Sequence, residues 1–490
     1  MAAERYLALD LGAESGRAVV GAFDGDRLAV TEVHRFQNRP VRLPRGLHWD
    51  ILSLLAEVRS GIAAAEREGP LASLGLDTWG VDFGLLDRRG ALLGNPFHYR
   101  DRRTEGMLEA AFELVPREEI FSETGIQFLP INSLYQLLAM ALGADALLSV
   151  ASTFLTIPDL LNYWLTHERA CEFTNATTTQ CFNPRTGAWA SALLERLGIP
   201  RRLFPNVLPP GSVLGPLVDE TGSHRSTHVV LPGTHDTASA VAGTPLSGPH
   251  AAYISSGTWS LVGVEISRPA ITPQALALNM TNEGGVENTF RLLRNVMGLW
   301  LVQGIRHTLE RQGDPVGYPE LVGAASEAPA LRVVLDPDAP VFLRADDMVG
   351  AIRDFCTASH QPAPETPGTL VRVALESLAL RYRWVIEHLE QVTGRPIDTI
   401  HVVGGGSRNR LLCQMTADAT GRLVLAGPTE ATALGNLAVQ AIAAGRLGSL
   451  GQAREVIARS FAPEEFKPAS NAAWSEAYGR FCALSSGGET

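Results

Sequence analysis

The stretch LPGTHDTASAVAG (231–243) sets His235 and Asp236 side by side between an apolar run and an alanine-rich one. HVVLPG reads as a buried strand ending in a Pro-Gly turn, and TASAVAG as the first turns of a helix. A carboxylate at that junction has two uses. It caps the helix, since a side-chain oxygen of Asp236 or Thr237 satisfies N–H groups that the first turn leaves open. Or it acts as a base, a role open to a carboxylate with a proton donor within hydrogen-bond reach. A helix N-terminus is expected to lower the pKa of Asp236 and keep it ionised, so one placement can serve both uses.

Three glycine-rich turns carry a different chemistry. YLALDLGAESGRAVVGAFD (6–24) and AYISSGTWSLVGVEI (252–266) each run from an apolar strand through a tight polar turn into a second apolar strand. The first turn holds Asp10, Gly12, Ser15 and Gly16; the second holds Ser255, Ser256, Gly257, Thr258 and Ser260. Glycine lets the backbone approach a ligand, and successive N–H groups with hydroxyls form an anion-binding concavity. Singly, each is an ordinary hairpin. Together, half a chain apart, they point to an internal duplication whose two tips can clamp a polyphosphate. The third turn, in TIHVVGGGSRNRLLCQMTADATGRLVL (399–425), predicts a βαβ unit with Gly404, Gly405 and Gly406 at a helix N-terminus, which suits a nucleotide. It lacks the third glycine of GxGxxG and the GKS or GKT of a P-loop.

GLDTWGVDFGLLD (75–87) surrounds Gly80 with Asp77, Trp79 and Asp82 in an otherwise apolar hairpin. As plain structure it is a turn with a half-buried tryptophan. As a site it suits a sugar, whose C–H face packs on an indole and whose hydroxyls donate to carboxylates.

The elements that must position these residues alternate strand and helix. LVRVALESLALRYRWVIEHLEQVTG (370–394) predicts a long helix stopped by Gly394, and LGNLAVQAIAAG (434–445) one whose small residues suit tight packing. At 490 residues the chain is too long for one core. PLSGPHA (245–251) is the expected boundary, dividing the chain into 1–244 and 245–490. A net charge of −11 argues against a nucleic-acid partner. MAAERYLALDLG has no secretory pattern and no long apolar run follows, so a cytoplasmic protein without membrane spans is expected. Five cysteines without CxxC or zinc spacing read as buried thiols; Cys171 and Cys181 are the pair considered for a disulfide.

The order DLGAESGR, GLDTWGVDF, GTHDTASA, SSGTWSL, RNVMGLWLVQ and VVGGGSRNRLL resembles the FGGY carbohydrate kinases, from residue 5 to residue 460. GTHDTASA is shared widely among them. DTWGVDF and RNVMGLWL are more specific, and favour an L-rhamnulose acceptor over xylulose, glycerol or gluconate. The resemblance implies an α/β fold of two ribonuclease-H-like, actin-like ATPase lobes around a central cleft. It implies ATP and Mg²⁺, with transfer to the 1-hydroxyl of L-rhamnulose. Carried over residue by residue, it makes Asp236 the proton acceptor, and Gly80, His235, Asp236, Thr237 and Asn295 sugar contacts. Ala13, Glu14, Ser15, Gly16, Arg17 and Thr258 become phosphate clamps. Gln303, Gly404 and Gly405 hold the nucleotide, and Asp10 helps to position Mg²⁺ through water.

Glu14 departs from the resemblance, which expects a small serine-like residue there. A carboxylate beside a triphosphate is unfavourable unless it points to solvent or meets the metal. His235 reads either as a structural histidine or as a sugar contact, and Arg294 either as a cleft residue or as the partner of a surface carboxylate. Trp259 and Trp300 read as core rather than as ligand stackers, and Asp101 as a solvated loop charge rather than a group that supports the site from behind. Another ketose, such as L-fuculose or L-xylulose, is the alternative acceptor. An actin- or chaperone-type ATPase is the alternative of another class; its turnover would not depend on sugar. A nicotinamide dehydrogenase would rest on the three glycines alone. Monomer and dimer both stay open.

Overall fold

The computed structural model describes residues 3–246, 248–343, 345–469 and 472–485. They form two compact units. One comprises 1–245, 265–292 and 431–461; the other 246–264, 293–430 and 462–490.

The first unit is built on a six-stranded sheet. Glu4–Leu11, Ser15–Phe23 and Leu28–Gln37 form an antiparallel meander. Ser73–Thr78 lies parallel to Glu4–Leu11 on its other side, His224–Val230 lies parallel beyond it, and Val213–Val218 closes the edge. Both faces of the sheet are covered, which is why LALDL and AVVGAF are nearly unbroken apolar runs. Alternate residues serve alternate faces. Tyr6, Ala8 and Val19 pack with Leu434, Leu437 and Ala438 of the helix Ala431–Ala443. Leu9 and Ala18 meet Gly61 of the helix Ile51–Arg67, which Asp50 caps by accepting from Ser53 N.

Ala431–Ala443 also presses on the short helix Asp236–Ala242. A Cβ on Gly435 would lie 1.8 Å from Ser239 O, and one on Gly243 2.0 Å from Ala431 O. Only glycine lets the two backbones approach that closely.

A second sheet repeats the order. Ala251–Ser256 pairs antiparallel with Trp259–Ile266, which neighbours Phe290–Met297; on its other side follow Thr399–Val403 and Leu423–Ala426, both parallel. Apart from the edge strands Val213–Val218, Thr281–Gly284 and Glu464–Phe466, the third, second, first, fourth and fifth strands thus stand in the same sequence in both sheets, the order of a ribonuclease-H-like fold. The long helix runs Pro367–Thr393, starting earlier than its periodicity predicts because Thr366 Oγ1 accepts from Thr369 N and Pro367 suits the first turn. Gly394 ends it at φ 65°.

One expected element is different. DTWGVDF is not the turn of a hairpin: Ser73–Thr78 pairs within the sheet, whereas Phe83–Leu86 pairs with Thr153–Thr156. Val81, at φ 68°, turns the chain away instead of back. All five cysteines are free thiols, Cys171 and Cys181 included. Among the described residues no helix is long and apolar enough to cross a membrane.

Candidate active site

His224–Val230 ends before LPGTHD, but its pairing partner continues. Thr78 N donates to Thr234 O (2.9 Å), and Thr78 bridges to His235. Fully buried Glu172 holds the same turn from below, its Oε2 accepting from Thr234 N (3.0 Å) and Thr234 Oγ1 (2.7 Å). Burial pushes the Glu172 pKa up, and these hydrogen bonds oppose the rise. The turn therefore delivers His235 and Asp236 to a fixed place.

Asp236 does not cap its helix. His235 occupies the cap position without a side-chain cap bond, and Asp236 is the first helical residue, its Oδ1 accepting from Thr237 N at 2.6 Å. The direction of its pKa is also opposite to that expected from the helix end. Burial raises it, His235 opposes the rise, and the Asp10 charge adds to it. A helix terminus is worth about 0.3–1 kcal/mol at exposed positions, less than the cost of drawing a carboxylate out of water. The side chain keeps 29% of its surface accessible, so the carboxylate is crowded yet reachable.

Two more carboxylates share this field. Asp10 lies opposite Arg17 across the first hairpin and opposite Asp77 on the parallel strand. Arg17 donates to Asp10 Oδ2 from Nε (3.0 Å) and Nη2 (2.8 Å). Asp77 is fully buried; Asn436 Nδ2 donates to its Oδ2 at 2.6 Å. Burial drives the Asp77 pKa well up, and the charges of Asp10 and Asp236 drive it further. The hairpin tip closes through Gly12 N to Ser15 O (2.9 Å), and Asn38 Nδ2 donates to Gly12 O (3.0 Å). Glu14 and Ser15 are exposed, Ala13 half-buried and Gly16 buried.

No group of three or more His, Cys, Asp or Glu side chains that could hold a metal occurs among the described residues. Mg²⁺ does not require one: it binds through one or two carboxylates together with waters and substrate phosphates. Asp77 Oδ1 is buried without a hydrogen-bond partner, beside the Asp10 carboxylate in register. Crowded hard-oxygen donors, with the Asp10 charge adding to the raised pKa of Asp77, fit a divalent cation.

Gly80 packs on Thr178, whose Oγ1 would lie 2.9 Å from an added Cβ. Val81 N donates to the same Oγ1 (3.2 Å) and Val81 O accepts from Ser133 Oγ. Asp82 is not a sugar-facing group. Its Oδ2 accepts from Trp49 Nε1 (2.6 Å), Trp79 Nε1 (3.0 Å) and Tyr99 N (3.1 Å), and its Oδ1 from Gln136 Nε2 (2.9 Å). Burial lifts its pKa to about 6 against those bonds. Trp79 is buried against Trp49, ring centroids 4.1 Å apart. Both residues anchor the Gly80–Val81 turn. Asp101 is likewise no solvated charge: it is buried and accepts from Leu47 N at 2.7 Å.

The other predicted residues lie in the second unit. Thr258 sits at the second hairpin tip, where Leu299 N donates to Gly257 O (3.0 Å) and Trp300 N to Thr258 O (3.1 Å). The helix Trp300–Arg311, which carries Gln303 in its first turns, is thereby joined to the tip. Gly404 borders the same hairpin: at φ 80°, its Cβ would lie 2.9 Å from Ser256 O. Gly405 is exposed with open space above it. Thr258, Gln303, Gly404 and Gly405 thus surround one strand end, and half-buried Asn295 stands on Phe290–Met297. Arg294 is packed inside, 3.9 Å from Asp338 and over the Trp384 ring at 4.8 Å.

Residues 5–243 match the model of the N-terminal domain of the FGGY family of carbohydrate kinases, and residues 252–444 that of its C-terminal domain. The chain belongs to the FGGY family of carbohydrate kinases. Among its FGGY relatives, Rhamnulokinase of Bacteroides thetaiotaomicron is 43% identical over 483 residues, 98% of this chain and 99% of that one. Rhamnulokinase of Pectobacterium atrosepticum is 41% identical over 488 residues, 99% and 97% of the two chains. In structure the chain resembles gluconate kinase from Lactobacillus acidophilus, with a TM-score of 0.81 at 16% identity, covering 100% and 99%. That likeness shows a shared fold, the actin-like ATPase fold of two ribonuclease-H-like domains. Sequence reasoning had no sight of Glu172, Glu283 and Arg291, although each is buried at the Asp236 turn. Arg291 alone carries a signal, a charge in the apolar run FRLL; Glu283 in TNEGG and Glu172 in CEFTNATTT lie among polar residues.

Proposed function

We propose that this FGGY kinase transfers the terminal phosphoryl group of ATP to the 1-hydroxyl of L-rhamnulose, giving L-rhamnulose 1-phosphate and ADP. What supports the acceptor is the likeness to two rhamnulokinases over almost the whole chain. Asp236 accepts the hydroxyl proton as the bond from O1 to phosphorus forms and the bond from phosphorus to the ADP oxygen breaks. Gly80, Thr237 and Asn295 orient the ketose directly, and His235 does so through its neighbour Asp236. Ala13 to Arg17 and Thr258 hold the phosphates through N–H groups and hydroxyls, and Gln303, Gly404 and Gly405 hold the nucleotide. Asp10, backed by Asp77, would hold Mg²⁺, which supplies positive charge to offset that of the phosphates. Five free thiols suit a reducing compartment, and we place the reaction in the cytoplasm.

A panel of ketoses assayed for ADP release with purified protein and MgATP tests this. L-Rhamnulose should give the highest kcat/KM, and no sugar should mean almost no ADP. A higher kcat/KM for L-fuculose or L-xylulose would move the acceptor assignment. Sugar-independent ADP release would replace the kinase with an ATPase.

A further inference from the structure

The ring of His235 is gripped by a buried ion pair that the reaction above does not use. Arg291 is fully buried and donates from Nε to Gly284 O at 2.8 Å, which fixes it against the strand Thr281–Gly284. Its Nη2 lies 3.2 Å from Glu283 Oε2 and is hydrogen-bonded to His235 Nδ1 at 3.2 Å. Glu283 Oε2 is 3.3 Å from the same ring nitrogen. On the far side of the ring, His235 Nε2 is 3.4 Å from Asp236 Oδ1. The backbone is held as well, His235 N donating to Thr174 Oγ1 at 3.2 Å.

A guanidinium has donors only and does not lose its proton in a protein. The nitrogen it addresses must present a lone pair. A neutral imidazole has one lone pair and one N–H. With Nδ1 accepting from Arg291, and not donating to Glu283 Oε2 at 3.3 Å, the proton sits on Nε2, toward Asp236. Glu283 balances the Arg291 charge, so the grip leaves no uncompensated ion in the interior. On the Asp236 side, Oδ1 already accepts from Thr237 N. An Nε2–H directed at that same oxygen leaves Oδ2 for the incoming hydroxyl.

We propose that Arg291 is a positioning residue: with Glu283 it fixes His235 as the Nε2–H tautomer, and His235 in turn holds Asp236 Oδ1 so that Oδ2 is the oxygen that takes the proton. This rests on Asp236 being the proton acceptor of the proposed kinase. The opposite tautomer would turn a ring lone pair toward the carboxylate and repel it.

The tautomer can be measured without any sugar. Full-length protein labelled with ¹⁵N-histidine, with His235 assigned by comparison with His235→Gln, is recorded by long-range ¹H–¹⁵N correlation. A protonated Nε2 with a bare Nδ1 is expected; a protonated Nδ1, or averaging between the two forms, overturns the proposal. A kinetic test adds Arg291→Lys, which keeps the charge but loses the fork, and Arg291→Gln combined with Glu283→Gln. In variants that keep their melting temperature within a few degrees, kcat should fall about tenfold or more while KM for ATP stays within about twofold. Placed in an Asp236→Asn background, the same changes should cost almost nothing further, because they act through that carboxylate. An unchanged kcat, or equal losses in both backgrounds, overturns the proposal. Failure of every ketose to be phosphorylated by the parent protein would instead strike the functional reading, and leave the tautomer result to stand by itself.

Discussion

Asp236→Asn is the substitution on which the reading turns, because the structure separates its effect on rate from its effect on folding. Asparagine keeps an oxygen where Oδ1 accepts from Thr237 N at 2.6 Å, so the helix still starts in the same way. It cannot take a proton. A positioned general base contributes about 10² to 10⁴ in rate, so kcat should fall at least about a hundredfold, or about 2.7 kcal/mol in activation free energy at about 1.36 kcal/mol per factor of ten. Stability should move the other way. Burial and the Asp10 charge hold the Asp236 pKa above its ordinary value. A carboxyl whose folded pKa exceeds its unfolded one takes up a proton on folding, so its ionised form weakens the fold above the folded pKa and has no effect below the unfolded one. Removing the charge also relieves Asp77, whose own pKa the Asp236 charge raises. The variant should therefore melt at the same or a higher temperature at pH 8, with the advantage gone by pH 4. A coupled assay of ADP release at saturating ketose gives kcat, titration calorimetry gives nucleotide affinity, and scanning fluorimetry at the two pH values gives melting. Turnover within tenfold of the parent would refute the base. A large loss shared between turnover, nucleotide affinity and melting would show general damage and refute the separation.

Three further outcomes are expected. Glu14→Ser should leave nucleotide affinity equal or slightly tighter, since Glu14 is exposed at the first tip; a large loss measured by calorimetry would make Glu14 a metal ligand. Gly435→Ala gains about 1 kcal/mol of helix propensity but sets a Cβ 1.8 Å from Ser239 O and 2.7 Å from Gly243 N. Neither backbone atom can rotate away, so overpacking of about 1–3 kcal/mol or more should win, and urea unfolding should show net destabilisation. Burial pushes Asp159 to about 8, so its contribution to stability should fall by about 1.4 kcal/mol per pH unit between about pH 4, its unfolded pKa, and the folded value. Asp159→Asn should flatten the slope of unfolding free energy between pH 6 and pH 8, and an unchanged slope would show that Asp159 is ionised throughout.

The two glycine hairpins, the βαβ unit and the long helix are legible in the sequence because each is a local pattern: an apolar period broken by glycine. What cannot be read is partnership across distance. DTWGVDF looks like a hairpin because apolar runs flank a glycine, yet its two runs pair with strands far away in sequence. Asp82 and Trp79 read as a sugar site because exposed acid and indole suit one; the groups that saturate Asp82 come from Trp49, Tyr99 and Gln136, and no spacing links them. Ala431–Ala443 reads as an apolar helix after the nucleotide turn, but it covers the first sheet. One signal of that role was present. Asn436 and Gln440 stand four apart in an otherwise apolar helix, and both are fully buried, Asn436 on Asp77 and Gln440 on Leu7 O and Ser73. Polar residues at helical spacing on a buried face announce buried polar partners.

The duplication also explains why charge is found at one strand end and not at its counterpart. In the first sheet the penultimate residue of the first strand is Asp10, level with Asp77 on the fourth. In the second sheet the same place holds Ser255, level with Val403, with Gly404 following at once. In open α/β sheets the carboxyl ends of the parallel strands are where ligands are met, so both places face that task with different chemistry. At its strand end the second sheet presents a hydroxyl, an apolar side chain and a glycine, and no carboxylate. The first sheet supplies Asp10 and Asp77, with Arg17 donating to Asp10, and the Asp10 charge adds to the rise that burial gives the Asp77 pKa; this is the end that the proposed function gives to Mg²⁺. One backbone plan, repeated, thus ends in two different residue sets, charged in the first sheet and uncharged in the second.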